Sequence, residues 1–235
     1  MSKKTARKTR GYDVAKLFHI ESVALASDNA SFHVPRDNSK LKGIPAWNLL
    51  PGCSCSSEAR RTCFVEGCYA VKNACCHGYD VEKNYCLNAW TENTVLAKKH
   101  IKKLEKLLDA WLTRNKPELF RIHSSGDFCS VEYARLWRRL AIKHPETRFL
   151  AFTKQFEIVR HVYFYKLSNF ELVLSGWTGV TIPEDLRKHY RCAWCNDGTE
   201  TRIPADAIHC PGDCNHCRAC WYLSAMGKDS FFDKH

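Results

Sequence analysis

No apolar run in this chain approaches the roughly 18 residues that a membrane-spanning helix requires. The start, Met-Ser-Lys-Lys-Thr-Ala-Arg-Lys-Thr-Arg, carries charge but no apolar stretch behind it, so a secretion signal is not expected. There is no internal repeat, no low-complexity tract beyond that basic start, and no zinc-finger helix pattern. A membrane protein, a repeat array and a small secreted disulfide scaffold are all disfavoured by these absences. The expectation is a cytoplasmic protein whose cysteines are reduced.

What is present is cysteine. The chain holds 14 in 235 residues, more than any single metal ion can engage. An apolar content of 45% is enough to bury a full core, most simply as one domain with elaborations. Basic residues outnumber acidic ones, 36 to 25, for a formal charge of +11. Five of the first ten residues are Lys or Arg with no large aliphatic anchor, so residues 1–11 read as a disordered basic arm, either solvated or resting on nucleic-acid phosphates. The charge is a weak argument for nucleic acid, because thiolates bound to a cluster are themselves anionic.

Four cysteines crowd the end of the chain: Cys210-Pro-Gly-Asp-Cys214-Asn-His-Cys217-Arg-Ala-Cys220. Ferredoxin-type iron–sulfur binding uses the same ingredients, two-residue gaps and a cysteine beside a proline, in the opposite order. The short gaps turn successive sulfurs inward around one compact core. A zinc site remains open, since Cys192-Ala-Trp-Cys195 paired with Cys214 and Cys217 has zinc-ribbon spacing, although it strands Cys210 and Cys220.

Between the ends, strand and helix signals alternate. Residues 12–26 read as a first strand, and residues 28–52 as a loop punctuated by Asn, Pro and Gly. Leucines and aromatics at three- to five-residue steps predict a helix over 88–115. Strands are expected at Leu119–His123, Arg148–Thr153 and Phe170–Ser175, with helices over 131–143 and 156–167. This alternation argues for βαβ units and a parallel sheet over residues 12–190, with 191–235 a cysteine-rich extension able to bind a cluster. Ligands of such sheets gather beyond the strands' carboxyl ends. Here those ends are Ser124-Ser125-Gly126-Asp127, Thr153-Lys154 and Ser175–Trp177. Asp127 reads both as a helix N-cap and as a ligand for an amine, and His123 as a core histidine. Cys129 stands beside the same turn. Trp47, Trp177 and Trp221 border the cysteine loops, where they either pack or shield a cluster.

A second cysteine group, Cys53, Cys55, Cys63 and Cys68, opens a loop reaching Cys86 by way of Cys75 and Cys76; those last three read as core or loop filler. Strand, cysteine loop, helix, then a strand ending in a small-small-Gly-acid turn is the order found in radical SAM proteins, and the chain resembles a partial barrel of that type. It also resembles a group of phage proteins known by a gene-product number. That likeness is carried by Asn38-Ser39-Lys40, Cys68-Tyr69-Ala70, His123-x-Ser-Gly-Asp and the closing cysteines, over roughly residues 38–221. The resemblance implies an iron–sulfur protein with one or two 4Fe–4S clusters. Cys63 and Cys68, with Cys53 or Cys55, would hold the first, and Cys210, Cys214, Cys217 and Cys220 the second. Ser124, Ser125, Gly126 and Asp127 would face a substrate or S-adenosylmethionine. The spacing of Cys55, Cys63 and Cys68 is wider than the usual radical SAM loop.

Two functions follow. One is a redox or radical enzyme served by an electron donor. The other is a nucleic-acid-binding or adaptor protein in which zinc or closed clusters staple long loops.

Overall fold

Seven strands make one sheet: β1 (Ala46–Trp47), β2 (Leu119–Ile122), β3 (Arg148–Thr153), β4 (Phe170–Gly176), β5 (Arg191–Asn196), β6 (Ile208–His209) and β7 (Ser230–Asp233). Their order is β1-β2-β3-β4-β5-β7-β6, and every neighbouring pair is parallel. The computed structural model describes residues 14–28, 30–34, 40–64, 68–71 and 81–234. The basic arm lies outside them, as do Asn38, Ser39, Cys75 and Cys76.

The expected first strand is instead a helix, α1 (Val14–Ser27). Fourteen residues without Gly or Pro exceed the usual length of a strand, and length is what separates the two forms when periodicity is weak. The first strand falls later, at Ala46–Trp47, inside the stretch read as loop. The order strand, cysteine loop, helix, strand, turn therefore persists with a different opening strand. The long helix is two, α3 (Val81–Lys99) and α4 (Ile101–Asn115), broken at His100. The very short α2 (Ser57–Ala59) precedes them in the cysteine loop. Helix α5 (Val131–Lys143) and strand β3 fall where the periodicity puts them. The helix expected over 156–167 is reduced to α6 (Phe156–Val159) and a 3-10 turn at Phe164–Lys166, and the short α7 (Glu184–Arg187) lies between β4 and β5.

A parallel sheet needs both faces covered. Alternate residues send Phe120, Ile122, Phe149, Leu172 and Trp194 to one face, where α4 contributes Leu104, Leu108 and Leu112, and α5 Tyr133, Trp137 and Leu140. The two helices are tied outside by Arg139 to Glu105 (2.7 Å) and Lys143 to Asp109 (2.6 Å). The opposite face carries Ala46, Leu119, Leu150, Val173 and Ala193, and what covers it is the chain's own closing segment through Trp221 and Leu223.

That face is concave. Cys210 N–H donates to Phe231 of β7 (2.7 Å), and Cys214 N–H to Lys40 on the approach to β1 (2.9 Å). The closing segment thus spans from the β7 side to the approach to β1, and among the described residues no pairing joins β1 to β6, so the sheet is not closed. Past residue 190 the sheet continues through β5, β7 and β6. None of the described helices is long and apolar enough to cross a membrane.

Trp137 is fully buried between α5 and the sheet. Trp137→Ala should lower unfolding free energy in urea by about 3–5 kcal/mol. On the same helix, Ile142→Ser, at a side chain 54% exposed, should change it by no more than about 0.5 kcal/mol.

Candidate functional site

The closing run is shaped by short local rules. Gly212 takes a φ of +78°, a turn conformation that costs little without a Cβ. Asp213 then caps α8 (Cys214–Cys217) by accepting from His216 N–H. The Lys42 ammonium, 2.6 Å away, holds the Asp213 carboxyl down to about 2. Arg218, in left-handed conformation, ends the turn, and its guanidinium reaches Glu118 at 2.9 and 3.1 Å. Arg148 donates to the Trp221 carbonyl and stacks on the Tyr222 ring. Glu171 accepts from Ser224 N–H and hydroxyl, at the start of α9 (Leu223–Met226). Lys42, Glu118, Arg148 and Glu171 precede or begin β1 to β4, so the segment is fastened to the strands' amino ends.

Cys210, Cys214, Cys217 and Cys220 all line one half-open cavity there, with Ile208, Trp221 and Ser230. Trp221 is almost wholly buried at its wall, so of the three tryptophans it is the one that shields the cysteines. Burial raises the Cys214 thiol and pushes Cys220 up to about 12, while Arg121 opposes both shifts. Among the described residues no three His, Cys, Asp or Glu side chains are drawn together around a single ion. Zinc would gather sulfurs at 2.3 Å from one centre, whereas a polynuclear cluster keeps its thiolates apart with inorganic core between them. Four cysteines around a shared cavity fit the wider arrangement.

The zinc-ribbon pairing does not fit. Cys192 and Cys195 are three residues apart on β5 and so face opposite sides of the sheet. Cys192 packs in the helix-side core, where burial pushes its thiol up to about 12.

Of the first cysteine group, Cys53, Cys55 and Cys68 lie among the described side chains. Cys53 and Cys68 pack in a small cluster with Leu17, Leu50, Val71 and Trp90 beneath α1 and α3. Cys53 Sγ is 3.8 Å from the Leu17 carbonyl, and burial, then Glu21, drives its thiol far upward. Cys55 Sγ accepts from Gly52 N–H at 3.3 Å. The side chains of Cys63 and Cys86 lie outside the described residues. Cys129 is half-buried against the helix-side core, and burial pushes its thiol up to about 11.

At the strands' carboxyl ends the turn 124–127 is a joint. Asn48 Oδ1 accepts from Ser124 N–H (2.8 Å), Ser124 hydroxyl (2.8 Å) and Ser125 N–H (3.1 Å), and Ser125 hydroxyl donates to Leu49 (2.9 Å). Tyr69 hydroxyl donates to the Ser124 carbonyl. A side chain at Gly126 would strike Leu49 Cβ at 2.7 Å and Ser54 Oγ at 2.8 Å, so the loop can approach only because that residue is glycine. Asp127, 5% exposed, accepts from Phe128 N–H, Thr153 hydroxyl and Lys154 N–H at 2.7–2.8 Å. It does not cap α5; Ser130 does, accepting from Tyr133 N–H. Its carboxylate ties β2 to β3 and has little acceptor capacity left for a ligand. His123 bonds Tyr133 hydroxyl at 2.8 Å within the core, and burial takes its pKa down to about 3. Lys154 Nζ donates to Ser175 Oγ (2.9 Å) above the Trp177 ring.

The spacing of motifs gave no hint of two residues. Arg121 sits on β2 facing the concave side, its guanidinium 4.0 Å above the Phe152 ring. Asn48 organises the turn. The available signal was a charged residue inside an apolar strand, Leu-Phe-Arg-Ile.

Fold and cavity together define a parallel α/β protein with a cysteine-lined cavity closing its curled sheet. The chain belongs to the Gene product 88 family, whose model matches residues 23–223. It is 28% identical to the Gene 88 protein of Mycobacterium phage L5 over 156 residues, 61% of this chain and 62% of the relative. It is 35% identical to the Gene 88 protein of Mycobacterium phage D29 over 63 residues, 27% of this chain and 26% of the relative. Both matches thus span less than two thirds of the relatives' length. No solved structure matches the chain.

Burial lifts the Asp127 carboxyl to about 6 from 3.8. A raised acid binds its proton more tightly when folded, so wild-type stability should fall as pH rises from about 4 to about 6. In Asp127→Ala that slope should be gone. At pH 4 the variant should be destabilised by about 1–3 kcal/mol for the unpaired donors. Urea titrations across that range measure both.

Proposed function

We propose that this protein is an iron–sulfur protein whose closing cysteines, Cys210, Cys214, Cys217 and Cys220, hold a 4Fe–4S cluster. The observation that carries the reading is their convergence on one cavity, walled by Trp221. Such a cluster supplies one-electron chemistry when bound. The chain's own residues position the thiolates, through the Asp213 cap, the Arg218–Glu118 pair and the Trp221–Arg148 contact, and keep water off one side. Placement at the strands' amino ends, opposite the usual substrate face of parallel α/β sheets, supports an electron-relaying or structural role for this site. A redox or radical reaction would then belong to the carboxyl-end rim, near Lys154 and Ser175, with an external electron donor.

S-adenosylmethionine is not part of the proposal. The residues of the 124–127 turn are engaged within the protein, and Cys53 and Cys68 pack in an apolar cluster beneath α1 and α3. A stapled adaptor using zinc, with nucleic acid on its basic arm, is the competing reading.

Protein purified without oxygen should be brown and contain iron and acid-labile sulfide. Cys214→Ala and Cys220→Ala should each lose at least half of both and melt at lower temperature, since ligation organises a segment with few apolar anchors of its own. Stoichiometric zinc without iron would favour the adaptor.

A further inference from the structure

We propose that the concave face at the carboxyl ends of β2, β3 and β4 binds a small oxyanion, a carboxylate or a phosphate, between Arg121 and Lys154. The inference deepens the reading of that rim as the substrate side, and it is independent of what the closing cysteines hold.

Alternation along the strands puts Arg121, Phe152 and Ser175 on the concave face, two residues beyond Leu119, Leu150 and Val173. Lys154 continues the same side past the end of β3, and it stands beside Ser175 because Thr153 pairs with Leu174. The Arg121 side chain leans toward that end. Its guanidinium lies 4.0 Å from the Phe152 ring and donates to the carbonyl of His123, the residue after β2. Lys154 Nζ lies 2.9 Å from Ser175 Oγ and 5.0 Å from the Trp177 ring. Phe152 and Lys154 are two residues apart, at most about 7 Å along the chain. Both cations therefore border one strip, each resting on an aromatic face.

The strip brings cations together without an acid. Among the described residues neither Arg121 nor Lys154 is in an ion pair, whereas Arg187 meets Asp229 and Arg218 meets Glu118. Asp127 accepts from the Lys154 backbone N–H and not from its ammonium. Arg121 and Lys154 are half-buried, and Ser175 is buried. The protein offers each cation one oxygen, the His123 carbonyl at 3.4 Å for Arg121 and the Ser175 hydroxyl for Lys154, so both keep N–H donors in hand. Ser175 accepts from the ammonium and keeps its own O–H to donate. Two like charges on one face repel, and removing them from water without an anion is unfavourable. An oxyanion between them reverses both effects and takes charge-assisted hydrogen bonds from each. The carboxyl ends of parallel strands are also where such sheets hold their ligands.

Titration calorimetry on the full chain tests this with inorganic phosphate and succinate at constant ionic strength, chloride being the reference anion. At least one probe should bind saturably, and the tighter of the two names the oxyanion class. Arg121→Met and Lys154→Met should each weaken that binding at least about tenfold. Lys154→Arg should stay close to wild type, and so should Lys166→Met, at an exposed lysine of the 3-10 turn. Circular dichroism identifies a variant that fails to fold, in which case Arg121→Gln or Lys154→Gln decides. Iron, sulfide and zinc are assayed on the same samples. Iron-loaded protein that binds neither probe in the millimolar range would sink this proposal alone, whereas anion binding by protein without iron would sink only the iron–sulfur reading. Loss of binding in one folded neutral variant but not in the other would overturn a site shared by Arg121 and Lys154.

Discussion

A parallel sheet must be covered on both faces, and in this protein the second cover is the chain's own cysteine-rich end. Helices α4 and α5 supply ordinary apolar packing on one side. The other side is closed by a segment that brings little apolar surface beyond Trp221 and Leu223. Its attachment instead comes from backbone bonds to Lys40 and Phe231, ion pairs to Lys42 and Glu118, and the buried Glu171. Exposed pairs of that kind contribute little singly. A site that binds metal would supply the missing stabilisation, because ligation free energy becomes folding free energy where the ligands organise the chain. The curl of the sheet, the cavity and the placement of four thiols are then one arrangement.

The two ends of the strands are built on different principles. At the carboxyl ends, Asn48, Ser54, Ser125 and Asp127 exchange hydrogen bonds so completely that the turn is a joint between the cysteine loop, β2 and β3. At the amino ends, the four closing thiols line one cavity beside Trp221. Saturated polar networks hold a fold together, and unsaturated ones mark where something else is to be bound. By that criterion the closing cysteines are the stronger candidate site, although the turn has the more familiar sequence.

Much of the middle of the fold was legible beforehand. Val131–Lys143 and Arg148–Thr153 were readable because amphipathic spacing and flanking polar residues agree there. Residues 14–27 misled, since a short apolar run with weak periodicity suits either a helix or a buried strand, and only packing of α1 on α3, with the Lys98–Glu21 pair, decides between them. The two-residue β1 had no signal at all, because its pairing with β2 is set by long-range contact.

For the site, the sequence by itself placed four cysteines within eleven residues, and the turn at Gly212 and the helix Cys214–Cys217 gather them on one cavity. It also determined the glycine that the 124–127 turn needs. Tertiary structure alone decided that Cys192 and Cys195 point to opposite faces, that Cys53 is buried under α1, and that Asp127 faces inward to Thr153 and Lys154. Spacing along a chain fixes what is local, whereas the hydrogen-bond partners of a buried group such as Asp127 come from a different strand, and only the folded sheet brings the two together.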